Sequence, residues 1–303
     1  MLAHDRRWTR RRALASGFGL AAGATVAGLE LVAHGVLPGR TVLDELDGAC
    51  SVAAPAETFA PAGASRTGRF FSRARNRSVG YTIAYPPGHG PGSELPLAVT
   101  LHGFGGDHTS GLGGLTLARA LSARTGRHAP APIALVAVDG GGLYWNPHPG
   151  DDPMAMIVDE LIPMCRRLGL GRAPGSLGAA GVSMGGYGAL LLAEKHPQLI
   201  AAVAAISPAV WTNYAEAHAA NAGAYASAAD FGADDVVTHA TALAGIPVRV
   251  ASGSQDPFLP GVMALAKALP APAVVEISDG CHDSTFFASQ APASLSFLAA
   301  HVA

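Results

Sequence analysis

The chain has 303 residues, 49% of them apolar and 14% charged, enough for one domain with a large core once an N-terminal address is set aside. Its 20 Lys and Arg against 22 Asp and Glu leave a formal net charge of -2, so there is no electrostatic footprint for nucleic acid. Three cysteines, Cys50, Cys165 and Cys281, form neither a disulfide framework nor a metal-ligand spacing; one bridge would suit an exported protein, but the spacing does not say which two would pair.

The first segment reads as an address. Thr9-Arg10-Arg11-Arg12-Ala13-Leu14 resembles a twin-arginine export signal, and an uncharged run from Ala13 to Leu29 follows it. That run is long for a signal core and marginal for a membrane span, and Glu30 interrupts it. Residues 1–38 are therefore expected to be a cleaved signal or a retained membrane anchor, with Ala33-His34-Gly35 favoured over Ser51-Val52-Ala53 as the cleavage site. Lipid attachment at Cys50 fits poorly, because Asp44, Glu45 and Asp47 precede it. The expected partner of this segment is the twin-arginine export machinery, and the expected location is periplasmic, extracellular or in the cell envelope. Membrane contact is expected only through this segment. Residues 39–66, rich in Ala, Pro and Gly, read as a linker, and the basic cluster Arg66 to Arg77 as a solvated edge.

The catalytic domain is expected over 67–303. Val79 to Tyr85 alternates as a half-buried strand, and Pro86 to Gly92 turns the chain. Leu95 to Leu101 and Ile133 to Val138 are continuous apolar runs of the kind buried on both faces of a parallel sheet. Leu115 to Ala123 is a helix candidate, and Met154 to Leu168 an amphipathic helix with Met154, Ile157, Val158 and Leu161 on one face and a kink at Pro163. Further strands are expected at Leu177 to Val182, Leu199 to Ile206, Ile246 to Ala251 and Ala273 to Ile277, with helical stretches around Thr238 to Ala244 and Val262 to Leu269. This alternation predicts a mainly parallel α/β sheet. The segment 207–232, with Trp211, Tyr214 and Tyr225, is too long for a plain connection and reads as an insertion or lid.

The chemistry centres on Gly181-Val182-Ser183-Met184-Gly185, which lies between an apolar run and a helix-forming run of Ala and Leu. A G-x-S-x-G match alone is weak. Its setting of strand, sharp turn and helix is that of a nucleophile elbow, which holds a serine hydroxyl out at the top of a sheet. Such a hydroxyl needs a base, and the base needs a group that fixes its tautomer. Asp256 and His282 each follow a predicted strand, so a parallel sheet brings both to the edge that carries Ser183. Asp234, Asp235, Asp279 and Asp283 are rivals for the acid, read instead as helix-start or turn residues; His239 and His301 are rivals for the base. The oxyanion donors would be the backbone N–H groups of Met184 and of Phe104 in the loop His102-Gly103-Phe104-Gly105-Gly106-Asp107. His102 reads as a hydrogen-bonding residue beside that turn. Tyr144, Trp145, Trp211 and Phe258 are candidates for lining the substrate cleft, with packing in a loop as the alternative. His148, Asp151 and Asp152 are not read as metal ligands, since helix-start acids ahead of Met154 explain the aspartates.

From His102-Gly103, through Gly181-Val182-Ser183-Met184-Gly185-Gly186, to Asp256-Pro257 and Gly280-Cys281-His282-Asp283-Ser284-Thr285-Phe286-Phe287, the chain resembles the putative-esterase family of α/β-hydrolases. That family includes esterase D (S-formylglutathione hydrolase) and the mycolyltransferases. The resemblance covers residues 80 to 300. It implies an α/β-hydrolase fold, with a mainly parallel central sheet flanked by helices on both faces, and carboxylester hydrolysis or acyl transfer through an acyl-serine with no cofactor and no metal. Ser284 and Thr285 stand where such sequences often carry Trp, which implies a different acyl pocket. The expected substrate is a small-molecule or lipid ester. The expected function is an exported serine carboxylesterase, with an acyltransferase of the mycolyltransferase type and a non-catalytic binding protein on the same scaffold as alternatives.

Overall fold

The computed structural model describes residues 63–110, 117–122 and 131–302. The signal or anchor at 1–38 and the linker up to residue 62 lie outside the described residues. Eight strands form one sheet: β1 Ser65–Ser72, β2 Arg77–Ala84, β3 Leu97–Leu101, β4 Ala134–Val138, β5 Leu177–Val182, β6 Ala202–Ile206, β7 Val248–Gly253 and β8 Ala273–Ser278. Their spatial order is β1-β2-β4-β3-β5-β6-β7-β8. β1 pairs antiparallel with β2 and β2 antiparallel with β4, while every pairing from β4 to β8 is parallel.

The helices are α1 Leu117–Ser122, α2, which joins a turn Pro153–Ala155, a π-helical turn Met156–Leu161 and Ile162–Arg167, α3 Met184–Lys195, α4 Tyr214–Ala220, α5 Ala228–Ala233, α6 Leu259–Ala268 and α7 Ser284–His301. A short 3₁₀ turn, Ala240–Leu243, stands where a helical stretch was expected. Among the described residues no helix is long and apolar enough to cross a membrane.

The central strands β3, β4, β5, β6 and β7 are buried at every position, as their continuous apolar runs require. Alternation along β3 sends Leu97, Val99 and Leu101 into the core shared with α2 and α3. Ala98 faces the opposite core, where Phe286, Leu295 and Leu298 of α7 pack. Helices on both faces cover the central strands and leave their ends open, and the parallel register collects the carboxyl ends on one edge.

Three sequence expectations are corrected here. β1 begins at Ser65, inside the stretch read as linker. Arg75 is not a solvated edge residue: it is buried, its Nε donates to Asp151 Oδ1 at 2.6 Å and its Nη1 to Asp139 O. The kink expected at Pro163 appears as the π-turn just before it, in which Ile162 N–H reaches Ile157 O, five residues back. The extra residue in that turn rotates Met156 and Ile162 into the core alongside Ile157 and Leu161.

Candidate active site

β5 runs buried to Val182, α3 begins at Met184, and Ser183 joins them at φ 55°, ψ -123°. An L-residue held there stores about 1–3 kcal/mol, so its surroundings must fix it. Ser183 N–H donates to Ile206 O at 2.9 Å, and Ser183 O accepts from Tyr187 N–H at 3.1 Å and Ala209 N–H at 3.0 Å. The two flanking glycines are sterically required. A Cβ on Gly181 would lie 2.1 Å from Gly185 O, and one on Gly185 would lie 2.0 Å from Leu101 O.

The strand ends β7 and β8 bring two further side chains to this hydroxyl. His282 Nε2 lies 2.8 Å from Ser183 Oγ, and His282 Nδ1 lies 2.9 Å from Asp256 Oδ2. A carboxylate only accepts, so Nδ1 carries the proton and Nε2 is left to accept from the serine. The Asp256 side chain is wholly buried, and its Oδ1 accepts Phe258 N–H at 2.8 Å, which fixes the plane of the carboxylate. Phe258 and Phe287 stand against the imidazole with ring centroids 4.9 and 5.0 Å away. The three groups expected from strand-end position are in hydrogen-bond sequence.

The loop after β3 packs beside the serine: a Cβ on Gly103 would lie 3.4 Å from Ser183 Cβ. His102 is buried and holds this loop from both ring nitrogens. Its Nε2 accepts Gly140 N–H at 2.9 Å, and its Nδ1 donates to Gly103 O at 2.8 Å. Gly140 N–H can only donate and Gly103 O can only accept, so the ring is neutral with its proton on Nδ1. Burial, the largest influence, holds its pKa below the ordinary value. Gly106 N–H also donates to Gly103 O, at 3.0 Å. Gly103 O and Phe104 N–H share one planar peptide and point opposite ways, so clamping the oxygen aims the N–H.

The aromatic candidates divide. Phe258 and Trp211 are half-buried and meet edge to face with centroids 4.7 Å apart, and Phe258 stands against His282. Tyr144 is buried behind them, ringed by Tyr187, Trp211 and Tyr225. Trp145 is a correction to the cleft lining, because it is wholly buried. Its ring fills the space left by Gly140 and Gly188, where an added Cβ would lie 2.2 and 2.6 Å from indole atoms. Its Nε1 donates to His102 O at 3.3 Å. Trp145 is thus a core residue beneath the site. The Phe104 ring is 69% exposed, whereas Met184 is buried at the start of α3.

The segment 207–232 folds as α4 and α5 with connecting turns and packs against the body. Asn146 Nδ2 donates to Ala224 O at 3.1 Å, Asn221 Nδ2 donates to Gly142 O at 2.9 Å, and Tyr225 is buried between Tyr144 and Phe231. It stands as a wall beside the triad residues.

The rival acids are occupied elsewhere. Asp234 pairs with Lys195 at 2.8 Å, Asp235 accepts from Val237 N–H, Asp283 caps α7 by accepting Phe286 N–H, and Asp279 is exposed. His301 bonds Phe297 O, and His239 is exposed ahead of the 3₁₀ turn. Asp152 caps α2 by accepting Ala155 N–H, as a helix-start acid should, but Asp151 departs from that reading and pairs with Arg75 and Arg77. Cys165 is free, with its thiol pushed up to about 12 by burial, and Cys281 is disulfide-bonded.

Sequence reasoning missed Asp139. Its Oδ1 accepts His108 N–H at 2.9 Å and its Oδ2 accepts Gly80 N–H at 2.8 Å, tying the loop after β3 to β2. The signal was its place at the end of a buried strand, the same signal that singled out Asp256.

A family model described as "Putative esterase" matches residues 72–268, more than half of the chain. Comparison with curated proteins gave no match. Among solved structures the chain is similar to a ferulic acid esterase, at 18% identity and a TM-score of 0.70 over 81% of this chain and 100% of that one. It is similar to the S-formylglutathione hydrolase from Agrobacterium tumefaciens, at 16% identity and a TM-score of 0.64 over 82% and 99%. It is also similar to MPT51 (FbpC1) of Mycobacterium tuberculosis, at 18% identity and a TM-score of 0.61 over 80% and 100%. At these identities the likenesses show the fold, which is the α/β-hydrolase fold.

Proposed function

The chain belongs to the putative-esterase family, and from that premise we propose that it is an exported serine carboxylesterase working through an acyl-serine. The observation that carries the reading is the hydrogen-bonded sequence Ser183 Oγ, His282, Asp256, at 2.8 and 2.9 Å. Ser183 attacks the ester carbonyl while His282 Nε2 takes its proton. Asp256 keeps the imidazole in the required tautomer and stabilises its charged form. Phe104 and Met184 N–H groups hold the oxyanion, His282 returns the proton to the leaving alkoxide, and water then releases the acid by the same steps. Esterase and hydrolase neighbours of the same fold support the reaction class. The export half of the reading rests on Arg10-Arg11-Arg12 and the uncharged run after it.

The test is turnover of p-nitrophenyl acyl esters by the wild type and by Ser183→Ala. Removing the nucleophile should lower kcat by about 10⁶, the scale set by a serine protease whose nucleophile is replaced. Wild-type-like turnover in a folded Ser183→Ala protein would contradict the assignment.

A further inference from the structure

We propose that the candidate site selects its ester by charge, accepting neutral and cationic substrates and rejecting anionic ones; this rests on the esterase reading above. The carboxyl edge of the parallel strands is built from the segments 102–110, 139–152, 207–233, 254–258 and 279–283, and not one contains a Lys or Arg. Each contains at least one Asp or Glu. The asymmetry is local, because the whole chain is nearly balanced at 20 basic and 22 acidic residues. Asp107, Glu216, Asp230 and Asp279 are exposed on these segments. Asp107 is kept ionised by the hydroxyl and N–H of Thr109, which hold its carboxyl below the usual range.

The described cations nearest this edge do not offset it. Arg75 and Arg77 both pair with Asp151, and Lys195, which donates to Ala233 O, pairs with Asp234. Arg73, Arg75 and Arg77 sit on the hairpin of β1 and β2, and β4 and β3 lie between β2 and β5. The Arg75 guanidinium reaches across to Asp139 O at the end of β4, where its charge is matched by Asp151. Arg119 lies on α1, which packs on β2 and α7.

A second observation points the same way. Phe258 and Phe287 stand against His282, Trp211 stands against Phe258, and the exposed Phe104 ring lies against Gly142. Aromatic faces carry partial negative charge and attract cations, most strongly when desolvated. An acyl or alcohol group bearing a carboxylate or phosphate would meet, among the described residues of these segments, no Lys or Arg and two sources of repulsion. The product acid, which is anionic once released, would be driven out by the same field, so weak product inhibition follows.

The experiment compares kcat/KM for three p-nitrophenyl esters of similar length: the neutral butyrate, the anionic hemisuccinate and the cationic 4-(trimethylammonio)butyrate, each divided by its hydroxide-catalysed rate. At 20 mM salt the hemisuccinate should lag the butyrate by about tenfold, the order expected of a net like charge several ångströms away near a protein surface. The cationic ester should match or exceed the butyrate, and raising salt to 0.5 M should shrink both differences. Asp279→Asn should narrow the neutral-to-anionic ratio. Equal, salt-independent rates for the butyrate and hemisuccinate would overturn charge selection while leaving the esterase reading intact. No turnover of any of the three by folded protein would overturn the esterase reading, and charge selection with it.

Discussion

Ser183 keeps its strained backbone because nothing around it has room to relax. Gly181 and Gly185 give strand and helix their close approach, and the backbone of Leu101 closes the third side. Gly185→Ala would drive a methyl group into Leu101 O, and overpacking of this kind costs about 1–3 kcal/mol. The expected outcome is a lower melting temperature together with lost ester turnover. His102 acts at the same scale through two bonds. His102→Leu would leave Gly140 N–H without its ring partner and the Gly103 peptide held by Gly106 N–H alone. A buried group left unpaired costs about 1–3 kcal/mol, which a urea midpoint would register. Because Phe104 N–H is then less firmly aimed, kcat should fall more than KM rises.

At the scale of elements, α3 links Ser183 to an unusual carboxyl. Residues Met184 to Glu194 of this helix are buried, and Glu194 is pushed up to about 9, chiefly by burial and next by Asp235. The unfolded chain releases that proton near 4.5 and the folded protein only near 9, so between those values the folded state holds the extra proton. Stability must therefore fall as pH rises through that window, by up to about 1.4 kcal/mol per pH unit. Glu194→Gln should flatten the decline and raise the urea midpoint at pH 8; an unchanged slope would contradict the assignment. The elements themselves were mostly legible from sequence, because continuous apolar runs such as Leu97–Leu101 and Leu177–Val182 have few other ways to be buried. β1 escaped notice because seven of its eight residues are partly or fully exposed and its Arg and Thr residues resemble linker. The closing helix α7 escaped because Pro292 and its serines break the apolar repeat. Trp145 could not be placed from sequence, since what buries it is the space at Gly140 and Gly188, a tertiary fact.

For the whole molecule, the parallel register gathers residues separated by up to 180 positions onto one edge, and Arg75, Asp139 and His102 brace the loops that meet there. Order along the chain together with strand-end position was enough to select Ser183, Asp256 and His282, whereas the bracing residues carry no local pattern. Two buried groups give the molecule opposing pH limits. His102 has its pKa lowered from 6.5 by burial, so the stability it contributes is full above 6.5 and is lost as pH falls below that value towards its folded pKa. Glu194 acts in the other direction from pH 4.5 upward, so the two offset each other between 4.5 and 6.5 and Glu194 acts alone above that. Urea midpoints should therefore decline as pH rises above 6.5, and a curve that keeps rising above pH 7 would exclude the Glu194 contribution.

The central claim is an activated serine at position 183. Intact mass after treating the folded protein with a fluorophosphonate, with peptide mapping of the product, tests it most directly. A single adduct on Ser183, absent in Ser183→Ala and strongly slowed in His282→Ala, is the predicted result. Folded protein that takes up no label would contradict it, and the scaffold would then be a binding protein rather than an enzyme.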